Sequence, residues 1–182
     1  KKSDGRFSWA YPFWELPQYN RIWEDEHFEI MENTSSLPRV FLASSYVVAT
    51  QEQEILDHIF SSDFDIREKI VLEEYPGVEP KSGSASAAFI SYRPTDVRIR
   101  VNSSVPKLLF ISDTYASGWK ASVDGNPVKI YRANFDFRAV EVPAGTHTVR
   151  MWYAPRSETL GLAIAGFATL VGATFLVRKR KL

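Results

Sequence analysis

The sequence predicts an all-β fold: a jelly-roll-like β-sandwich with one short helix, followed by a single carboxy-terminal transmembrane helix. Three observations carry this. Between residues 107 and 153, short apolar runs (KLLFISD, WKASVD, PVKIY, FDFRAVEV, HTVRMWY) recur about every ten positions, the spacing of strands in a sandwich and not of βαβ units. Asp124-Gly125-Asn126 and Pro143-Ala144-Gly145 stand between such runs, and Asp-Gly readily supplies the positive φ that tight hairpins require. Finally, residues 159–177 (TLGLAIAGFATLVGATFLV) form a stretch of 19 residues without a charge, closed by Arg178, Lys179, Arg180 and Lys181.

Taken in order, residues 1–19 form a lead-in in which Trp9, Tyr11, Phe13 and Trp14 crowd together behind Lys1 and Lys2, a composition suited to the membrane–water interface. Residues 20–155 are expected to form the β domain. Its first half offers the strand-like runs HFEIME, PRVFLAS, YVVAT, KIVLEE, AAFISYR and DVRIRVN. The helix is expected over 51–60, where Ile55, Leu56 and Ile59 make an apolar stripe among acids. Residues 79–86 (EPKSGSAS) read as a loop. In FDFRAVEV, Phe135, Phe137 and Ala139 nearly alternate with Asp136, Arg138 and Val140, as in a strand with one core face and one wet face.

By length the apolar stretch is a membrane span, expected over 156–177 and followed by a basic tail over 178–182. At 1.5 Å per residue it extends about 28 Å, close to the roughly 30 Å hydrocarbon thickness of a bilayer. The overall balance of 22 basic and 22 acidic residues then hides an asymmetry: residues 1–158 hold 18 basic and 22 acidic side chains, a net charge of −4, and the tail after the span holds +4. The cationic tail is expected in the cytoplasm and the β domain outside. Gly161, Ala165, Ala168 and Gly172 align on one helix face, a surface for close approach of another span, and Leu162, Phe167, Leu170 and Phe175 lie opposite. The chain starts at Lys1 without a methionine, so it is read as a piece of a longer polypeptide whose preceding spans would be its first partner, with the lipid bilayer as the second.

Composition excludes several chemistries. With no cysteine there is no disulfide frame, thiolate zinc site or cysteine nucleophile. Zero net charge argues against a nucleic-acid partner. His27, His58 and His147 stand apart without metal-ligand spacing, and no phosphate-cradling glycine loop or GxSxG elbow occurs, so no cofactor, no metal and no catalytic residue is expected. Asp113, Asp124 and Asp136 could form an acid pair only if the fold joined them, and Asp124 is accounted for by its turn. His147, opening a strand after a turn, is expected to be exposed.

The order of Tyr115, Gly118-Trp119-Lys120, Val123-Asp124-Gly125, Tyr131-Arg132-Ala133-Asn134, Phe137-Arg138-Ala139-Val140 and Val142-Pro143-Ala144-Gly145-Thr146-His147 resembles the carboxy-terminal ectodomain of the YfhO family of bacterial polytopic membrane proteins. The segments WEDEHFEIMEN, LPRVFLASSYVVAT and KIVLEEYP fit as well, so the resemblance runs from about residue 16 to the end. It implies a parent similar to the GT-C class of glycosyltransferases, moving sugars from an undecaprenyl-type lipid carrier to a cell-envelope polymer such as a teichoic acid or polysaccharide. The family's many amino-terminal spans, with the catalytic carboxylate of GT-C enzymes in the first outward loop, are not in this sequence. The piece is therefore expected to assist and not to catalyse alone. The alternative is a non-catalytic carbohydrate-binding or structural module anchored at the membrane.

A sugar-binding surface is suggested by Tyr115, Trp119, Tyr131, Arg132, Asn134 and Arg138, since a sugar's C–H face packs on aromatic rings while its hydroxyls accept hydrogen bonds from amide and guanidinium groups. The partner would be an envelope glycan or a polyprenyl-linked sugar. The competing reading puts Trp119 and Tyr131 in the core and either pairs Arg132 and Arg138 with Asp113 or Glu141 or sets them against lipid phosphates. Trp152 and Tyr153, just before the span, suit interfacial anchoring.

Overall fold

A computed structural model describes residues 16–155, 157, 161–162 and 164–170. The chain divides into two compact units, residues 1–38 and 39–182. In the first, strands β1 (Tyr19–Glu24) and β2 (Glu29–Asn33) form an antiparallel hairpin. The Asp25 carboxylate closes its turn by accepting from the backbone N–H groups of His27 (2.7 Å) and Phe28 (2.8 Å). The aromatic cluster Trp9 to Trp14 lies outside the described residues.

The second unit is a sandwich of two sheets. One has six strands in the order β3 (Val40–Ala43), β8 (Lys107–Ile111), β12 (Phe137–Val142), β11 (Tyr131–Ala133), β5 (Lys69–Leu72) and β4 (Ser45–Val48). The other has five, in the order β10 (Asn126–Val128), β9 (Trp119–Val123), β13 (Gly145–Tyr153), β7 (Asp96–Ser103) and β6 (Ala85–Arg93). The predicted helix is present as α1 (Glu52–Ile59).

The expectation of a wholly sandwich-like pattern needs one correction. β4 and β5 pair in parallel with α1 between them, a βαβ unit at one edge of the six-stranded sheet. A parallel pair cannot be closed by a hairpin and requires a crossover. Residues 49–68 supply it, and Ile55 and Ile59 of α1 seal the crossover against Val71 and Val47.

The two sheets obey different burial rules. In β7, buried Val97, Ile99 and Val101 alternate with exposed Arg98, Arg100 and Asn102, so the five-stranded sheet has one dry and one wet face. β8 is buried at all five positions. Leu109 and Ile111 join Val140 and Val142 against Val97, Ile99, Val149 and Met151 between the sheets. Leu108 and Phe110 lie on the opposite face with Ala139, Tyr131, Ile70 and Leu72, where Phe110 packs on Phe41 and Phe137 at 4.7 and 5.7 Å between ring centroids. A strand dry on both faces reads as a continuous apolar run, which LLFI is. Each fully buried Leu, Ile or Val contributes about 1.5–3 kcal/mol relative to exposure.

β12 differs from expectation at its start and on one face. Asn134 (φ 45°) and Phe135 (φ 79°) take left-handed backbone conformations and turn the chain between β11 and β12, so the strand begins at Phe137, not at Phe135. The face expected to be wet is dry: Arg138 is 2% exposed and Val140 fully buried, because that face meets the other sheet. Asn134 holds the turn by exchanging two bonds with β5, its N–H donating to Val71 O (2.8 Å) and its Oδ1 accepting from Val71 N–H (2.7 Å).

Residues 159–177 are only partly described. Gly161, Leu162 and residues 164–170 are helical, with Leu162, Ile164, Phe167 and Leu170 between 60 and 71% exposed. The rest of the expected span, and the cationic tail, lie outside the described residues. Among the described residues no helix is long and apolar enough to cross a membrane.

The Asn134 turn gives a test. Asn134→Ala leaves the Val71 N–H unpaired and places an alanine at positive φ, and is expected to destabilise the chain by about 2–3 kcal/mol in urea unfolding. Asn134→Gly, which restores the backbone freedom alone, is expected to recover part of that loss; equal midpoints for the native chain and Asn134→Ala would refute the assignment.

Candidate functional site

Loop and strand ends at one edge of the sandwich converge on the carboxylate of Asp113, two residues past the end of β8. Its Oδ1 accepts from Arg39 Nε (3.0 Å) and Nη2 (2.9 Å) and from the Tyr92 hydroxyl (3.0 Å). Its Oδ2 accepts from Arg138 Nη2 at 2.9 Å, and Arg138 Nε donates to the Asp113 carbonyl at 3.3 Å. The Arg138 guanidinium carbon sits 3.9 Å from the ring centroid of Trp119, and that of Arg39 lies 4.5 Å from the ring of Tyr92. These are cation–π geometries. Trp119 in turn meets Tyr153 at 5.6 Å.

Asp113, Arg39, Tyr92, Arg138 and Trp119 line an open cavity of about 340 Å³ together with Arg93, Pro94 and Thr114. Three guanidinium groups face one carboxylate there, so the cavity is cationic. Arg138 is buried with its partner: their side chains are 2 and 9% exposed. Burial pulls the Arg138 guanidinium below the ordinary arginine range while the Asp113 charge pushes it back up. Burial, with the Asp113 hydrogen bond and charge, pushes the Tyr92 phenol above its usual value. A buried pair of this kind offsets its desolvation only while both partners are present.

Local sequence explains how two of the rings arrive. The β6–β7 register shifts between Phe89 and Ser91: Phe89 faces Ile99, Ser91 faces Arg98 and Tyr92 faces Val97. The extra residue is a β-bulge, which reverses the side-chain parity of the strand and brings Tyr92 to the inner side with Val97. Gly118 precedes Trp119 because a Cβ there would stand 2.6 Å from the Tyr153 ring.

Of the six residues expected to bind sugar, the structure brings Trp119 and Arg138 together in this cavity. Tyr131 lies on the other face of the six-stranded sheet, its hydroxyl donating to Glu141 Oε1 at 2.5 Å; burial, followed by that bond, pushes its phenol up to about 12. Arg132 pairs with Glu73 and Asp136 at 3.4 and 3.3 Å, Asn134 belongs to the turn with Val71, and the Tyr115 N–H donates to Asp136 O at 2.7 Å. Arg39 and Tyr92 were not foreseen. They stand 74 and 21 residues from Asp113, and no local pattern marks them.

Two further polar clusters are present. Buried Lys107 donates to Ser44 Oγ (2.6 Å), which donates to Glu68 Oε2 (2.5 Å), beside a cavity of about 460 Å³. A hydroxyl thus relays a buried ammonium to a carboxylate. His147 is not exposed as expected. Its side chain is 18% exposed, with Nδ1 2.6 Å from Asp124 Oδ2 and Nε2 3.1 Å from Ala144 O. Asp124 also accepts from the Thr148 N–H at 2.8 Å, fastening the β9–β10 turn to β13.

Residues 81–165, just under half of the chain, match the family model described as bacterial membrane protein YfhO. The match supports assignment of this segment to the YfhO family. The match is narrower than the resemblance read from residue 16 onward, but it contains β6 to β13 and every residue named above for the Asp113 cavity except Arg39. Membrane association follows from the family. No curated protein and no solved structure matches the chain.

The His147 clip has a defined pH response. With an oxygen acceptor at each ring nitrogen, the imidazolium is the form that satisfies both, and the Asp124 bond raises the His147 pKa above 6.5 while His147 lowers that of Asp124 below 3.8. The histidine's contribution is full below 6.5 and lost as pH rises through its folded value; the aspartate's is full above 3.8 and lost as pH falls through its folded value. The clip is therefore strongest between these two ordinary values. In an NMR titration His147 should titrate above 6.5, and Asp124→Asn should lower its pKa toward that value.

Proposed function

We propose that this chain is the carboxy-terminal extracytoplasmic domain and membrane anchor of a YfhO-like protein that assists transfer of sugars from a polyprenyl-type lipid carrier to a cell-envelope polymer, a teichoic acid or polysaccharide. The observation that carries this is the YfhO match itself, which runs through the strands that build the Trp119–Arg138 cavity and on into the apolar stretch. Residues 159–177 cross the membrane, the β domain stands outside and the cationic tail inside. The exposed apolar side chains of Leu162, Ile164, Phe167 and Leu170 support a lipid or helix environment for this segment.

In this reading the chemistry resides in spans of the same polypeptide that precede this segment. The sandwich holds the acceptor: Trp119, its ring backed by Arg138 and flanked by half-exposed Tyr153, packs on a sugar face. The Arg138–Asp113 pair fixes the ring's position, so the platform is formed before the glycan arrives and binding loses little side-chain entropy.

In the intact protein, Trp119→Leu keeps apolar bulk but removes the aromatic face, and is expected to lower the glycan content of the envelope polymer by about ten-fold, by mass spectrometry, with expression unchanged. Unaltered glycosylation would leave the domain as a structural or binding module without a part in transfer. Orientation is tested separately: the chain has no cysteine, and Ser86→Cys on exposed β6 should react with an impermeant maleimide on intact cells. Labelling only after lysis would invert the topology.

A further inference from the structure

We propose that the mouth of the arginine cavity holds the phosphate of an anionic bilayer lipid, gripped by Arg93 and Arg39. The inference rests on the anchoring proposed above and deepens it, because it assigns the cavity's cationic rim to the membrane and leaves its Trp119 side to the sugar.

The first argument is position. The cavity is made by strand ends on a single edge of the sandwich: Tyr92 and Arg93 end β6, Trp119 opens β9, Arg39 precedes β3, Asp113 follows β8 and Arg138 lies near the start of β12. The chain leaves the sandwich at this same edge. Tyr153 ends β13 with its N–H on Thr95 O (2.9 Å), and Ala154 N–H donates to Gly118 O (2.8 Å), next to Trp119. From Pro155 to residue 159 the chain spans at most about 14 Å. The headgroup layer is itself about 5–8 Å deep, so the cavity mouth is held at the level of lipid phosphates.

The second argument is unsatisfied charge. Asp113 is the one carboxylate among the cavity's lining residues, with Arg39, Arg93 and Arg138 around it. Arg93 is exposed, stands opposite Asp96 in the β6–β7 pairing, and its side chain forms no hydrogen bond or ion pair among the described residues, Asp96 being engaged by Arg98 and Arg150. Arg138 Nη1 finds only the thioether of Met151, at 3.9 Å, a weak acceptor for a buried guanidinium. Asp113 has already taken three N–H bonds and the Tyr92 hydroxyl, so a further acceptor must come from outside the chain. Guanidinium forks match phosphate oxygens in pairs, and at a bilayer surface the phosphate is the abundant anion. Exposed Tyr92 beside the arginines suits the same interfacial depth.

The test uses the full chain in nanodiscs of an uncharged glycolipid, with Pro94→Cys on the cavity rim carrying an environment-sensitive fluorophore. Titration with a short-chain phosphatidic acid should give a saturable emission shift. Arg93→Ser, at an exposed and unpartnered position that folding does not need, should weaken it about ten-fold; Arg100→Ser, exposed on the wet face of β7, should leave it unchanged. Equal loss in both variants would reduce the effect to general charge, and equal affinity for inorganic phosphate would remove the lipid assignment; either overturns the proposal. Lipids bearing a headgroup nitroxide separate it from the anchoring reading. Quenching of the label at position 94 without any phosphatidic acid response would defeat the phosphate site while the anchoring stands, and no quenching would defeat the anchoring and the phosphate site together.

Discussion

The arrangement of this domain depends on burying one guanidinium. Arg138 sits on the face of β12 that meets the opposite sheet, where an apolar residue would ordinarily stand, and its charge is tolerable only because Asp113 meets it at 2.9 Å and Trp119 covers it at 3.9 Å. Neither partner is supplied by β12. Asp113 comes from the end of β8, hydrogen-bonded alongside, and Trp119 from the facing sheet. One side chain therefore ties the sheets together in register at this edge, a specificity that apolar packing alone does not confer. The cost is the desolvation of two ions.

That same requirement divides the sandwich into two chemical ends. Away from Arg138 the interior is aliphatic, with Val101, Val123, Val142 and Val149. Toward Arg138 it opens into a cavity whose walls are arginines and rings. A protein that needed only a stable sandwich could have filled this end with leucine. Retaining a charge network at the edge where the chain departs gives the domain a polar surface beside the end of β13.

Much of the fold was legible from local pattern. The strand-like run DVRIRVN marked β7, Asp-Gly located the β9–β10 turn, and the stripe Ile55, Leu56, Ile59 located α1, of which Ile55 is buried. The misreadings have physical causes. Asn134 and Phe135 turn without a glycine, since the bonds to Val71 hold the backbone there, so FDFRAVEV read as one long strand. Arg138 read as wet from strand alternation; the competing pairing with Asp113 is the one the structure shows, and only the fold places that carboxylate beside the buried guanidinium. His147 read as exposed because Asp124, 23 residues earlier, is brought to it only by β9–β13 pairing. For the site, Trp119 and Arg138 were visible as residue types worth joining, whereas Arg39 and Tyr92 become neighbours only through the sheet.

The bulge in β6 marks the one place where the strand can lose a residue without moving the cavity's ring. Strand pairing on either side of it is regular, so losing one residue near Ile90 would restore an unbroken ladder and need not disturb the β6–β7 hairpin. Ser91 would still face Arg98 and Tyr92 would still face Val97, so the ring would keep its inner side. A homologue with a one-residue gap at that position should therefore keep both the sandwich and the Tyr92–Asp113 contact.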